Sequence, residues 1–120
     1  MLNKRLKSFQ YAFSGIADLF RTQANARIHL LLSVIAIGLG FYFSLSLMEW
    51  IIITFCIGLV LTAEAFNTAL EYLTDLVSPS HHPLAGKTKD LAAAAVLITA
   101  IMAAIIGILV FLPKFLALLK

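Results

Sequence analysis

Acidic side chains are concentrated in one segment of a sequence that is otherwise typical of a membrane-spanning helix. The segment reads EAFNTALEYLTD, and its polar positions include Glu64, Asn67, Thr68, Glu71 and Asp75. At roughly 100° per residue, these five positions fall on one helical face about 100° wide. A carboxylate in hydrocarbon costs at least about 2.5 kcal/mol, so three acids on one face predict a functional site rather than a packing surface.

The two glutamates of this face differ in their predicted depth in the membrane. Glu64 and Glu71 are one and a half to two helical turns apart, and Glu71 is nearer the end of the helix. A carboxylate shielded from water at Glu64 is suited to take a proton from a hydroxyl group, whereas Glu71 can stay ionised and hold a cation. Mg²⁺ prefers oxygen ligands and usually takes one or two protein carboxylates, with water and phosphate oxygens as its other ligands. The face is therefore compatible with a site for a Mg-nucleotide.

Positive charge follows this acidic segment. Lys87, Lys89 and the nearby start of the last apolar segment offer ammonium groups and free backbone N–H groups, both of which favour phosphate. The alternative is that both lysines only supply the positive charge expected on the cytoplasmic side of a membrane. None of the six glycines lies in a Gly-rich phosphate-binding motif, so a nucleotide site here must differ from those of soluble kinases.

Histidine and cysteine give no separate indication of a site. Adjacent His81 and His82 are expected to be solvated in a loop, because no cysteine and no third histidine accompany them as metal ligands. We expect His29 to be a polar residue at the membrane interface. The single cysteine, Cys56, lies in an apolar segment, so the chain forms no internal disulfide and redox chemistry is not indicated.

The composition places these residues in an integral membrane protein. Of 120 residues, 62% are hydrophobic and only 12% are charged, against about 25% charged residues in an average globular chain. With a mean hydropathy of +1.00, the chain cannot bury its apolar surface in one small soluble core. We therefore predict an all-α membrane protein that forms a single domain over residues 1–120.

Hydrophobic periodicity predicts one surface helix and three spans. Apolar residues recur every three or four positions in the first twenty residues while basic residues occupy other faces, which indicates an amphipathic helix in the membrane interface, at about 2–21. Three apolar segments are long enough to cross the hydrocarbon, at about 28–47, 50–77 and 90–112. The predicted connections are a short polar turn that ends at Trp50 and a loop over 78–89, where two prolines and Gly86 oppose helix formation.

The distribution of lysine and arginine predicts the orientation. Seven of the nine basic residues lie before the first span or between the second and third spans, and the other two, Lys114 and Lys120, follow the third. The positive-inside rule then places the N-terminus and the acidic end of the second span in the cytoplasm. A three-span chain has little interior in which to bury the acidic face, so we also expect an oligomer.

The motifs resemble those of a known family. The pattern E-x-x-N-T-A-L-E-x-x-x-D at 64–75, followed by G-K-T-K-D at 86–90, is similar to the signature of the prokaryotic diacylglycerol kinase family, which includes undecaprenol kinases. The similarity extends to Tyr11-Ala-x-x-Gly15 and to Asn25-Ala-Arg27-Ile-His29, and so covers nearly the whole chain. The resemblance implies a homotrimeric bundle in the bacterial inner membrane, with sites shared between neighbouring subunits and no nucleic acid partner.

The resemblance also implies a role for each site residue. Glu64 would be the general base that takes the proton from a lipid hydroxyl, and Glu71 would bind the Mg²⁺ of Mg-ATP. Asn67 would lie close to the transferring phosphoryl group, Lys89 would bind the γ-phosphate, and Asp90 would help to orient the start of the helix that carries Lys89. Tyr11 and Gly15 would help to seat the nucleotide from the surface helix. The family often has a second metal-binding glutamate where this chain has Gln23, whose amide oxygen can coordinate Mg²⁺ but brings no charge.

The acceptor lipid is left open by the sequence. Diacylglycerol, which would become phosphatidic acid, and undecaprenol both present a hydroxyl at the membrane interface on apolar chains. The stretch from Asn25 to His29 is more similar to the undecaprenol kinases. Two other functions are weaker alternatives: a small proton-coupled transporter would usually need more spans, and a non-catalytic membrane adaptor would not need three acids on one helical face.

Overall fold

The structure, a computed structural model that describes residues 1–120, consists of four helices. They are α1 (Leu2–Thr22), α2 (Ala24–Tyr42), α3 (Leu47–Val77) and α4 (Pro83–Leu118). The last three are each long and apolar enough to cross a membrane, which confirms the all-helical fold with three candidate spans. The central helix is α3: it contacts each of the other three helices, and its largest interface is with α4.

Most of the apolar surface of the chain faces outward. Only 12 of 120 residues are buried, so this chain alone does not enclose a core like that of a soluble domain. Exposed apolar patches of this extent require lipid or other protein to cover them. The apolar residues of α1 are exposed as well, Phe9 and Phe13 by about two thirds. The placement of α1 in the membrane interface and the assembly into a trimer stay predictions.

The turn between α2 and α3 lies earlier in the chain than predicted. The first span was expected at 28–47 and the second at 50–77, but α2 ends at Tyr42 and α3 begins at Leu47. Ser44 has a φ of 50°, which a right-handed helix does not allow. A capping box then starts α3, because the Ser46 hydroxyl accepts from the Glu49 N–H while the Glu49 carboxylate accepts from the Ser46 N–H.

The loop predicted over 78–89 is shorter in the structure, because α4 extends beyond the predicted span of 90–112 at both ends. The helix α4 begins at Pro83 and continues to Leu118, so only 78–82 remain as a connection. Proline is favoured at the first helical position, where its missing N–H is not needed, and the His82 Nδ1 accepts a hydrogen bond from the Leu84 N–H at 3.1 Å. Pro113 is accommodated inside the helix. A helix of 36 residues is about 54 Å long and extends beyond a hydrocarbon layer of about 30 Å.

A small core holds the helices together at one end of the bundle. Leu45, Ile53 and Phe111 are buried there, and the ring of Phe43 stacks edge-on against that of Phe115 at a centroid distance of 4.9 Å. An ion pair also joins α3 to α4 at this end: Glu49, near the start of α3, lies 3.0 Å from Lys114, near the end of α4. The acidic face of α3 lies toward the opposite end of the same helix. The core thus fixes the helices at the end remote from the candidate site.

Candidate active site

Burial along the acidic face of α3 decreases toward the C-terminal end of the helix. Glu64 is 2% exposed and Thr68 is 5% exposed, whereas Asn67 and Glu71 are half-buried and Asp75 is exposed. The two glutamates therefore occupy different environments within the same face. A carboxylate in an apolar environment and a second one with access to water can serve different chemical roles.

Glu64 faces the N-terminal half of α2. Its Oε1 lies 3.3 Å from the Nε2 of His29, a contact within ion-pair range, although the alignment is not that of a hydrogen bond. The Ser33 hydroxyl donates to the His29 carbonyl oxygen at 2.7 Å within α2. This contact was not predicted from the sequence: the His29 ring, expected as a polar residue at the membrane interface, lies next to the most buried carboxylate of the chain.

Three buried oxygens on α3 have no hydrogen-bond partner. They belong to Glu64 (Oε1), Asn67 (Oδ1) and Thr68 (Oγ1). The Asn67 amide N–H donates to Oε1 of Glu71 at 3.3 Å, which leaves the Asn67 carbonyl oxygen free beside that carboxylate. Buried polar atoms in native proteins are almost always paired, so a cluster of unpaired acceptors indicates a place where a ligand supplies the partners.

The side-chain oxygens of Glu71 and Asn67 are suited to Mg²⁺ as nucleotide-binding enzymes bind it. A carboxylate and an amide oxygen are hard ligands of the kind Mg²⁺ prefers. The chain brings together no group of three or more His, Cys, Asp and Glu side chains that would hold a metal ion by itself. A Mg²⁺ ion at Glu71 and Asn67 would therefore need oxygens from phosphate and water to complete its coordination shell, as is usual for this ion.

Lys89 is held at this end of α3 by an ion pair. Its Nζ lies 2.5 Å from Oδ1 of Asp75. Because α4 begins at Pro83, Lys89 lies inside the helix, and the expectation that free N–H groups at a helix start accompany it is wrong. Asp90 was predicted to orient a helix start that in fact lies seven positions earlier, and its own side chain is exposed. The charged partner that positions Lys89 is Asp75.

The helix α1 borders the site through a hydrogen-bonded contact with α3. The Tyr72 hydroxyl donates to Oδ2 of Asp18 at 2.8 Å and lies 3.3 Å from the Thr22 hydroxyl. A cavity of about 350 Å³ lies beside this contact, and Gly15 and Thr68 line it from the two helices. A methyl group at Gly15 would meet nothing within 4 Å, so packing does not explain the glycine and its effect is to leave the cavity wider.

Two further predicted site residues, Tyr11 and Gln23, lie on α1 and just after its end. Tyr11 is 73% exposed and lies one turn before Gly15, on the same side of α1. Gln23 forms the junction of α1 and α2 in an extended conformation, and its amide donates to the Thr22 hydroxyl at 3.2 Å. The structure thus brings Gly15 to the α3 face but shows no bond from Gln23 to Glu71.

Comparison with known proteins identifies the family. The family model described as prokaryotic diacylglycerol kinase matches residues 10–111, which is most of the chain. The undecaprenol kinase of Bacillus subtilis is 43% identical over 113 residues, which cover 94% of this chain and 92% of that protein. The chain belongs to the prokaryotic diacylglycerol kinase family.

Other relatives are named diacylglycerol kinases. The diacylglycerol kinase of a Synechocystis strain is 41% identical over 115 residues, covering 95% of this chain and 66% of that protein. The diacylglycerol kinase of Haemophilus influenzae is 30% identical over 112 residues, covering 92% and 95%. Membership of this family makes the chain a kinase, and ATP its phosphate donor. Every predicted site residue lies within the matched region.

Sequence reasoning missed three contacts of the candidate site. The first is His29 against Glu64, which no spacing rule could indicate because the residues are 35 positions apart and on different helices. The second is the ion pair between Lys89 and Asp75, and the third is the hydrogen bond from the Tyr72 hydroxyl to Asp18. A signal for the third existed, because Asp18 follows Gly15 by three positions and so shares its face of α1.

Proposed function

We propose that this member of the diacylglycerol kinase family transfers the γ-phosphate of Mg-ATP to the hydroxyl group of a membrane lipid alcohol. The observation that carries the proposal is the gradient along α3, with a carboxylate buried to 2% exposure at Glu64 and a half-buried one at Glu71. The first suits a hydroxyl that arrives from the apolar side, and the second suits a charged nucleotide that arrives from water.

In the proposed reaction Glu64 is the general base. It accepts the proton of the lipid hydroxyl as that oxygen attacks the γ-phosphorus, and ADP leaves with the electrons of the broken bond. Oε1 of Glu64 has no hydrogen-bond partner, so the two carboxylate oxygens are not both occupied and one is free to accept a proton. Phosphoryl transfer otherwise depends on positioning and on the neutralisation of charge, which the other residues supply.

The Mg²⁺ ion that accompanies ATP would be held by Glu71, and it would neutralise charge on the phosphate oxygens. Asn67 is a polar contact for the transferring group, because its side-chain NH2 donates one N–H to Glu71 and has a second N–H for a phosphate oxygen. Gln23 is the less supported metal ligand, since its amide bonds to Thr22. Both glutamates and Asn67 are supplied by a single helix, which fixes their relative spacing.

Lys89 is proposed to bind the γ-phosphate, with Asp75 holding the ammonium group close to the acidic face in the absence of nucleotide. Asp90 is proposed to support that part of α4. The cavity of about 350 Å³ between α1 and α3 is the proposed place for the nucleotide, with Gly15 in its wall and Tyr11 one helical turn before Gly15. The Asp18–Tyr72 bond keeps α1 against α3 and so keeps this cavity formed.

The active form is proposed to be a homotrimer in the bacterial inner membrane, with the N-terminus and the site on the cytoplasmic side. Neighbouring subunits, as well as lipid, can cover the exposed apolar surface on the three spans. Sites shared between subunits would add ligands that one chain lacks at Glu71. Crosslinking in native membranes that captured only monomers would contradict the trimer.

Two acceptors are supported, diacylglycerol and undecaprenol. Both names occur among relatives of comparable similarity, at 43% identity for an undecaprenol kinase and 41% for a diacylglycerol kinase. The shared chemistry is a hydroxyl group on an apolar lipid, and the buried position of Glu64 suits either. The same base and the same nucleotide site would serve both acceptors.

The deciding experiment measures phosphate incorporation from Mg-ATP into lipid by the purified protein in bilayers. Diacylglycerol and undecaprenol are offered separately, and the Glu64→Gln variant is the control. Incorporation into one lipid that is lost in the variant supports the proposal and identifies the acceptor. Absence of incorporation into both lipids would overturn it.

A further inference from the structure

A histidine from α2 lies against the carboxylate of Glu64. The Nε2 of His29 lies 3.3 Å from Oε1, and the side chains are 20% and 3% exposed, respectively. The other polar side chains of the buried face are Asn67, which is bonded to Glu71, and Thr68, whose hydroxyl is unpaired. Of these side chains, His29 is the one that comes from another helix.

We propose that His29 is a positioning residue for Glu64: its Nε2–H bonds to Oε1 of the carboxylate and leaves Oε2 to face the acceptor hydroxyl. The inference rests on the proposed function, because it assigns His29 to the base of that reaction. The present alignment is not that of a hydrogen bond, although the distance is close to one. Bonds of this kind in unliganded enzymes are often long or poorly aligned, and they tighten when the substrate binds.

The placement of His29 in its helix supports this role. His29 lies in the second turn of α2, where its carbonyl oxygen accepts the Ser33 hydroxyl at 2.7 Å. Its side chain also lines the cavity of about 360 Å³ between α2, α3 and α4, whose wall is otherwise almost entirely apolar. The Glu64 side chain beside His29 is 3% exposed, so the carboxylate depends on a protein donor rather than on bulk water to fix its orientation.

A carboxylate without a hydrogen-bond donor can rotate between several orientations. It must reach the one reactive orientation before it can take the proton. A base must lie within hydrogen-bond reach of the proton it takes, so loss of orientation lowers kcat more than it changes nucleotide binding. The expected signature of His29 is therefore a fall in kcat with an unchanged KM for Mg-ATP. A residue that only fills space would instead affect folding.

The first test compares His29→Leu with His29→Gln in the lipid phosphorylation assay, with His81→Leu as a matched control on an exposed histidine. Leucine removes the donor, and glutamine restores an N–H near the position of Nε2. We expect a fall in kcat of tenfold or more for leucine, recovery of most of it by glutamine, and no change for the control. An equal loss in both His29 variants, or no loss in either, would overturn the positioning role.

A second test does not depend on activity. The chain has three histidines, so ¹⁵N-histidine labelling gives few ring signals, and His29→Leu assigns the relevant pair. We expect the His29 ring nitrogens to shift in Glu64→Gln and to stay unchanged in Glu71→Gln. Signals that move in neither variant would overturn the contact. If the wild-type protein phosphorylates no lipid, the proposed function fails, while this spectrum still reports on the His29–Glu64 contact.

Discussion

Replacement of Glu64 by glutamine is expected to abolish activity without weakening the fold. The amide has the same shape as the carboxyl group, so the packing around a side chain that is 3% exposed is preserved. No hydrogen bond to Oε1 is lost, since that atom has no partner. The variant thereby separates the chemical role of the carboxylate from any structural one.

The sizes of the two effects can be derived from the structure. A buried ionised carboxylate in a membrane costs at least about 2.5 kcal/mol, and removal of the charge should return part of that energy to the stability of the protein. General-base catalysis contributes roughly 10²–10⁴-fold, so kcat should fall by that factor, which corresponds to about 3–5 kcal/mol in the barrier. Activity and stability should therefore move in opposite directions.

The assay measures kcat and the KM for Mg-ATP in bilayers, together with the midpoint of thermal unfolding in detergent. The matched variant is Glu71→Gln, which lies on the same face but is half-buried. We expect Glu64→Gln to keep the KM for Mg-ATP and Glu71→Gln to raise it, because only Glu71 is assigned to the metal. A Glu64→Gln protein with wild-type turnover, or one that lost stability along with activity, would refute the reasoning.

Three further predictions concern other parts of the chain. A methyl group on Gly40 would come within 2.6 Å of the Trp50 ring. Gly40→Ala should therefore lower the midpoint of thermal unfolding and shift the fluorescence emission of the only tryptophan. The control Gly38→Ala, where a methyl group would meet nothing within 4 Å, should change neither. Ser44→Gly should raise the midpoint by removing roughly 1 kcal/mol of strain at a φ of 50°, and a fall would contradict this. Gln23→Glu should lower the Mg²⁺ concentration needed for half-maximal activity, and an unchanged requirement would remove Gln23 from the metal site.

The helix content and the acidic face were predictable because both depend on local spacing. The apolar segments are long enough to span a membrane whatever their neighbours, and Glu64 and Glu71 share a face in any α-helix. The boundaries were less predictable. The prolines and Gly86 predicted a loop over 78–89, whereas Pro83 occupies the first position of α4 and Pro113 lies within that helix. Such positions depend on capping, here by His82, which composition does not reveal.

The sequence by itself determined a membrane-embedded chain of the kinase family, because hydrophobicity, charge and motif spacing are properties of the linear chain. Only the tertiary structure decided which side chains meet across helices. It brought His29 to Glu64, Asp75 to Lys89 and Tyr72 to Asp18. The members of these pairs lie 35, 14 and 54 positions apart. The physical reason is that helical periodicity fixes angles within one helix, whereas contacts between helices depend on how their faces pack against each other.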